Sequence, residues 1–220
     1  VPKEDLERAT PTARTLSEDV RRLREAGLVA TQRYVAGRDR CTLVTLTERG
    51  HSLLENSRRE GHDLHRQTYY AGPSKHRELA HDSRIFHAYA DAARQIGAKG
   101  GRISRVRLDT ELKRDYQRFL QEPNRGRRNT SGRPRRDLDA IAEWARQHDL
   151  PIVDESVRFP DLRIEYERPD GERGHEDIEV ITPNYRGAHL SRKAATGFSC
   201  YRYQSARIGG GRGASRGGRA

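Results

Sequence analysis

The chain has 220 residues, carries 43 lysines and arginines against 32 aspartates and glutamates, and has a formal net charge of +11. This length allows one large or two small domains. The charge favours a polyanionic partner, because basic side chains neutralise phosphates; the alternative is a basic soluble protein without such a partner. The two cysteines fit no zinc-binding spacing, so a structural zinc site is not expected. No apolar run approaches the length of a membrane span or of a signal-peptide core, so a cytoplasmic protein is expected.

The first sixty residues show a helical pattern, two strand patterns and a second helical pattern. Residues 12–26 place apolar side chains at spacings of three and four, which predicts an amphipathic helix that ends at Gly27. Residues 28–35 and 41–46 are predicted to be strands around a polar turn, and Thr47 can cap the helix that follows.

This order resembles a MarR-like winged helix, and residues 23–29 (LREAGLV) and 46–50 (LTERG) carry the resemblance. It implies that the first helix enters a major groove while the turn lies against the DNA backbone or minor groove. The predicted unit spans residues 1–59 and lacks the first helix of such a module; since the chain begins with Val1 and has no methionine, we expect a fragment or a non-standard start codon. A winged helix that contacts protein is the alternative. The DNA-contacting residues expected are Arg14, Thr15, Ser17, Arg21, Arg33, Arg38 and Arg40.

Residues 60–106 are predicted to be a helical connector, with helical apolar spacing over residues 75–96. They contain the dipeptide His81-Asp82, which resembles a motif of metal-dependent phosphohydrolases. Because the other ligands of such enzymes are missing, a surface or capping role is expected.

Residues 123–136 contain six arginines separated by Gly, Pro, Ser and Asn, which predicts an extended mobile loop. Arg127 and Arg128 are expected to contact DNA phosphates there; the alternative is a solvated linker. Helices are predicted on either side of this loop, over residues 108–120 and 138–148.

Two carboxylates mark the last third of the chain. Asp161 follows Pro160 at the start of one predicted strand, residues 162–166, and Glu179 lies within the next, residues 178–181. A hairpin would bring both carboxylates to one edge, which is a common way to bind a hard cation such as Mg²⁺. Such a metal activates water against a phosphodiester. The alternative is that the carboxylates pair with arginines or face water.

Strands, a short helix at residues 190–195 and a last strand at 198–203 resemble the restriction-endonuclease-like core of PD-(D/E)xK nucleases, over residues 107–206. The resemblance implies that Asp161 and Glu179 bind the metal. Ile181 stands where that family has lysine, and Lys193 is the substitute expected to orient the attacking water. Without such a cation, the fold would serve only as a platform for DNA or a partner.

Taken together, these parts resemble the replication-relaxation family of mobile elements, which plasmids, phages and integrative elements encode. The resemblance implies an α+β fold and a protein that binds double-stranded DNA as an accessory factor in replication or transfer, alongside proteins of those processes. A MarR-type transcriptional regulator without catalytic activity is the alternative. Residues 207–220 are rich in glycine and arginine and are predicted to be disordered.

Overall fold

A computed structural model describes residues 13–36, 39–60, 67–72, 79–124, 136–181 and 195–202. These ranges contain both helices and strands, which confirms the α+β class. No helix in this part of the chain is long and apolar enough to cross a membrane.

The helices are α1 (Ala13–Glu25), α2 (Glu48–Glu60), α3 (Leu79–Ala98), α4 (Asp109–Gln121), which a 3-10 turn (Glu122–Asn124) continues, and α5 (Leu138–Gln147). The strands are β1 (Val29–Ala36), β2 (Asp39–Leu46), β3 (Arg102–Leu108), β4 (Ile152–Val153), β5 (Ser156–Val157), β6 (Leu162–Glu167), β7 (Arg173–Ile181) and β8 (Ser199–Arg202).

The N-terminal unit consists of α1, the antiparallel hairpin β1–β2 and α2, in the order that the sequence predicts. Gly27 ends α1 with a φ of 69°, a left-handed conformation that glycine adopts without steric cost. Thr47 caps α2, since its hydroxyl accepts a hydrogen bond of 3.0 Å from the N–H of Gly50. The same hydroxyl donates to the carbonyl of Gly27 at 2.6 Å, so one side chain joins the ends of both helices. The winged-helix arrangement itself stays a prediction.

Residues 67–72 connect this unit to the central sheet. The side-chain amide of Gln67 donates to the carbonyl of Val106 at 2.9 Å, and its oxygen accepts from the N–H of Val106 at 2.8 Å. At the other end of the segment, Ala71 forms a parallel bridge with Leu46, and Gly72 donates to the Leu46 carbonyl at 2.9 Å. The segment is therefore hydrogen-bonded to both units.

The central sheet has four strands in the order β3-β6-β7-β8, of which only the β7–β8 pair is parallel. The small side chains of Ala88 and Ala92 on α3 allow this helix to pack closely on one face of the sheet. The buried residues of this core are Ala88, Ala92, Ile96, Leu162, Ile164, Ile178 and Val180. Removing this apolar surface from water supplies the main driving force for the domain.

The helical connector predicted over residues 60–106 ends in a strand that the sequence analysis did not predict, because Arg102–Leu108 forms the edge strand β3. A shift in register between Ile103 and Arg105 interrupts the alternation of apolar and polar side chains, which hides the strand in the sequence. Val106 and Leu108 nevertheless pack against the α3 core.

The opposite face of the sheet carries buried ion pairs. Arg163, with 6% of its side chain exposed, donates to both oxygens of Asp177 at 2.6 and 2.7 Å. Its remaining N–H groups donate to the carbonyls of His148 at 2.6 Å and Asp149 at 2.9 Å, just beyond the end of α5. Arg107 nearby donates to the fully buried carboxylate of Glu111 at 3.1 Å. These contacts attach α4 and α5 to the sheet.

We predict that Arg163→Met lowers the free energy of unfolding by about 3–5 kcal/mol, because it leaves the Asp177 carboxylate buried with only the His175 imidazole, at 3.9 Å, beside it. Urea denaturation followed by circular dichroism measures the change. The matched control is Arg168→Met, which removes an exposed pair with Glu172 and should cost less than about 1 kcal/mol. Adding Asp177→Leu to Arg163→Met should recover part of the loss; equal costs for the two arginines would contradict the prediction.

Candidate functional site

The exposed face of α1 carries two of the predicted DNA contacts. Ser17 and Arg21 are exposed and lie four residues apart, so they share one face of the helix, while Val20 is buried on the inner side. The Arg21 guanidinium forms a 3.0 Å ion pair with Glu25. Arg33 is also exposed, on β1. Of the remaining predicted contacts, Arg14 and Thr15 belong to α1 and Arg40 to β2, whereas Arg38, Arg127 and Arg128 fall outside the described residues.

The two predicted metal ligands lie on adjacent strands at the same end of the sheet. Leu162 of β6 is paired with Ile178 of β7, so Asp161 and Glu179 come next to this pair on their strands. Glu179 is 7% exposed. Because side chains alternate along a strand and Ile178 packs in the α3 core, Glu179 lies on the opposite face of the sheet. Lys193 is outside the described residues.

One oxygen of the Asp161 carboxylate is engaged by the protein itself. Oδ2 accepts a hydrogen bond of 2.8 Å from the N–H of Val180 and lies 3.6 Å from Nε2 of His81. The first contact satisfies a backbone N–H of β7 that lies beyond the first residue of β6, Leu162, and so has no backbone partner on that strand. The second joins the start of α3 to the sheet. His81 is partly exposed, as its predicted surface role requires, and it is in addition the third polar side chain at this end of the sheet.

The pKa of His81 is raised from 6.5 to about 9, mainly because the Asp161 carboxylate stabilises the charged imidazolium and, next, because Asp82 does so from 3.9 Å. Partial burial acts in the opposite direction but is the weaker influence. His81 is consequently a cation at neutral pH, and it lies against the carboxylate that the sequence assigns to a metal.

The side chains at this end fit a divalent cation only in part, since Asp161 contacts His81 on the α3 side whereas Glu179 lies on the opposite face of the sheet. Carboxylate oxygens such as those of Asp161 and Glu179 suit Mg²⁺, but this ion also demands near-octahedral oxygen coordination. Within the described ranges, no three His, Cys, Asp or Glu side chains are grouped so that they could hold a metal ion. The His81 imidazolium would also compete with a metal cation for Asp161. The arrangement that is present is a carboxylate held between a backbone N–H and an imidazolium.

Comparison with protein-family models, with curated proteins and with solved structures finds no match to this chain. The resemblance to the replication-relaxation family therefore stays a prediction. It depends on residues 23–29 and 46–50, on Asp161 and Glu179, and on the order of the elements. No local signal in the sequence links His81 to Asp161, because the contact arises only when α3 packs on the sheet.

We predict a pH-dependent stability that comes from His81. Between pH 6.5 and about 9 the folded state holds a proton that the unfolded state has lost. The stabilisation from this contact is thus complete below pH 6.5 and disappears as the pH rises through about 9. Urea denaturation at a series of pH values should show this fall, and NMR titration of the imidazole should give a midpoint near 9.

Two variants test this origin. Asp161→Asn should move the NMR midpoint of His81 down toward 6.5, because the largest stabilising charge is lost. His81→Gln should flatten the decline in stability over the same pH range, whereas His87→Gln on the same helix should leave it in place. An unchanged midpoint in Asp161→Asn would show that another group raises the pKa.

Proposed function

We propose that this chain is a cytoplasmic DNA-binding accessory protein of a mobile element, acting in its replication or transfer. The observation that carries the proposal is the exposed, arginine-bearing face of α1, which lies directly before a β-hairpin in a chain of net charge +11. Double-stranded DNA is the partner, since a helix of this kind fits the major groove and basic side chains neutralise the flanking phosphates.

The charges on α1 support this assignment. Arg21, Arg22 and Arg24 are all exposed, and the helix has no acidic residue in its first turn, although Glu18, Asp19 and Glu25 are exposed further along it. The ion pair between Arg21 and Glu25 is exposed at both ends, so giving it up to contact a phosphate costs at most about 1 kcal/mol. Arg33, on the strand that follows α1 in the sequence, is a further exposed basic residue.

We predict that Arg21→Glu weakens binding to a labelled duplex about tenfold or more, because a phosphate contact is lost and a repulsive charge replaces it. Fluorescence anisotropy over a range of salt concentrations should also show a slope of log affinity against log salt that is smaller by about one. The control is Arg94→Glu on α3, another exposed arginine that pairs with a neighbouring carboxylate, Asp91. Identical affinity and slope for wild type and Arg21→Glu would contradict the role of α1.

The same duplex distinguishes the MarR-type alternative. A transcriptional regulator of that type would be a dimer and would prefer a palindromic site, since a two-fold symmetric protein reads two half-sites. Light scattering and binding to palindromic and scrambled duplexes test this. A monomer with equal affinity for both duplexes favours the accessory protein.

A metal-dependent nuclease is a second candidate function. It is favoured by the placement of Asp161 and Glu179 on adjacent strands of a sheet whose last strand is parallel to its neighbour, an order similar to the PD-(D/E)xK core. In this case Asp161 would have to turn from His81 on α3 toward the face of Glu179 for both carboxylates to hold Mg²⁺, which supplies a polarised water and charge neutralisation when bound. His81 would have to give up its proton or its contact with Asp161.

We predict under this second candidate that Asp161→Asn and Glu179→Gln each abolish Mg²⁺-dependent nicking of supercoiled DNA, while their affinity for the duplex remains that of wild type. Glu167→Gln, at the far end of β6, is the matched control and should nick normally. Gel electrophoresis with and without a chelator measures the reaction. Nicking that survives both site substitutions, or that needs no metal, would reject this candidate and leave DNA binding untouched.

A further inference from the structure

Strand β7 is paired along different lengths on its two sides. Strand β6 pairs with it from Arg173 to Ile178, whereas β8 pairs with it only from Ile178 to Ile181. Across the described ranges, no strand covers the second edge between Arg173 and Asp177. An uncovered edge of this kind is a template for an additional strand.

The direction of the backbone groups along β7 follows from one hydrogen bond. The N–H of Val180 points to the β6 side, because it reaches the Asp161 carboxylate there. Backbone groups point alternately to the two sides of a strand. The N–H and C=O groups of Asp177 and His175 therefore point away from β6, toward the uncovered edge.

This edge lies in a groove of about 730 Å³ between the end of α5 and the residues that precede β8. Apolar side chains line much of it: Leu150 belongs to the buried aromatic cluster beneath α5, and Phe198 is partly buried. Ile152 also lines the groove and is 42% exposed. A bound side chain could cover this apolar surface.

The polar lining of the groove is acidic, although the chain as a whole is basic. Asp149, Glu176 and Asp177 all line it. Asp177 is neutralised by Arg163, but Asp149 and Glu176 form no ion pair with another described residue. Arg146 is the basic residue at the rim, and its charge is offset by Glu143. The groove should therefore repel phosphates and attract cationic side chains.

The two walls of the groove are held in place before any ligand arrives. The Arg163 guanidinium bonds Asp177 on β7 and the carbonyls of His148 and Asp149 at the end of α5. Asp149 itself has a φ of 51°, a left-handed conformation that this bond helps to maintain. A preformed site loses little affinity to ordering of the protein.

We propose that this groove binds an extended, lysine- or arginine-bearing segment of a partner polypeptide, which adds to the free edge of β7 as a further strand. Backbone hydrogen bonds to His175 and Asp177 supply affinity, as in other cases of strand addition. Glu176 lies on the α3 face of β7, because its partner Ile164 packs there, so cations on that face of the added strand pair with Glu176 while apolar side chains on its other face cover Ile152. This site goes beyond the proposed DNA binding and does not depend on it.

The probe is a blocked hexapeptide of alternating lysine and valine, compared with the glutamate–valine peptide of the same length. NMR of the labelled full chain should show shifts of the His175 and Asp177 amides with the lysine peptide only. The double variant Asp149→Asn and Glu176→Gln removes both unpaired charges, and asparagine retains the left-handed backbone at position 149. Its affinity for the lysine peptide should be at least tenfold lower.

A second variant tests the strand edge separately. His175→Pro removes an N–H that points into the groove and is tolerated at strand edges, so it should abolish peptide binding with an unchanged circular dichroism spectrum. Glu172→Gln, in the exposed turn before β7, is the control and should bind normally. Duplex DNA affinity should be unchanged in every variant, so loss of peptide binding and failure of the DNA proposal are distinguishable.

Three results would overturn the inference. The first is equal binding of the lysine and glutamate peptides. The second is a set of NMR shifts that maps elsewhere on the chain, or one that persists in both the double charge variant and His175→Pro. If His175→Pro fails to fold, persistence in the double charge variant alone is sufficient. The third is a concentration-dependent dimer in light scattering that His175→Pro abolishes, which would assign the edge to a second copy of the chain.

Discussion

The buried guanidinium of Arg163 holds the sheet domain together. It bonds Asp177 across two strands and the carbonyls of His148 and Asp149 beyond α5, and only 6% of the side chain is exposed. Every N–H group used in this way is withdrawn from water, so the contacts must form as a set. This one side chain therefore joins the end of α5, the turn at Asp149 and strand β7, while Trp144 and Ala145 pack α5 in an apolar core.

The sheet has two chemically different faces as a result. On one face, apolar side chains pack against α3, and shape and burial determine the fit. On the other, arginines of β3 and β6 pair with carboxylates of α4 and β7, including Glu111, which is 2% exposed. An ionic layer of this kind explains how a chain with 33% hydrophobic residues still builds a covered sheet.

Basic and acidic surfaces are separated in the fold. Exposed arginines lie on α1, whereas the uncovered edge of β7 is bordered by Asp149 and Glu176. One region is suited to phosphates and the other to cations. The end of the sheet at Asp161 carries both charges in contact, because His81 lies 3.6 Å from that carboxylate. The proposed DNA contact and the proposed strand addition thus lie at different places on the chain.

Local patterns in the sequence determined the helix, hairpin and helix of the first sixty residues and the cap at Thr47. They also determined the strand that Asp161 precedes and the strand that contains Glu179. Capping and apolar spacing depend on neighbouring residues alone. Only the tertiary structure revealed β3, whose alternation is broken by a register shift. It alone also brought His81 to Asp161 and showed that no described strand covers one edge of β7 between Arg173 and Asp177. Contacts between residues far apart in the chain depend on how the elements pack, and no local spacing encodes them.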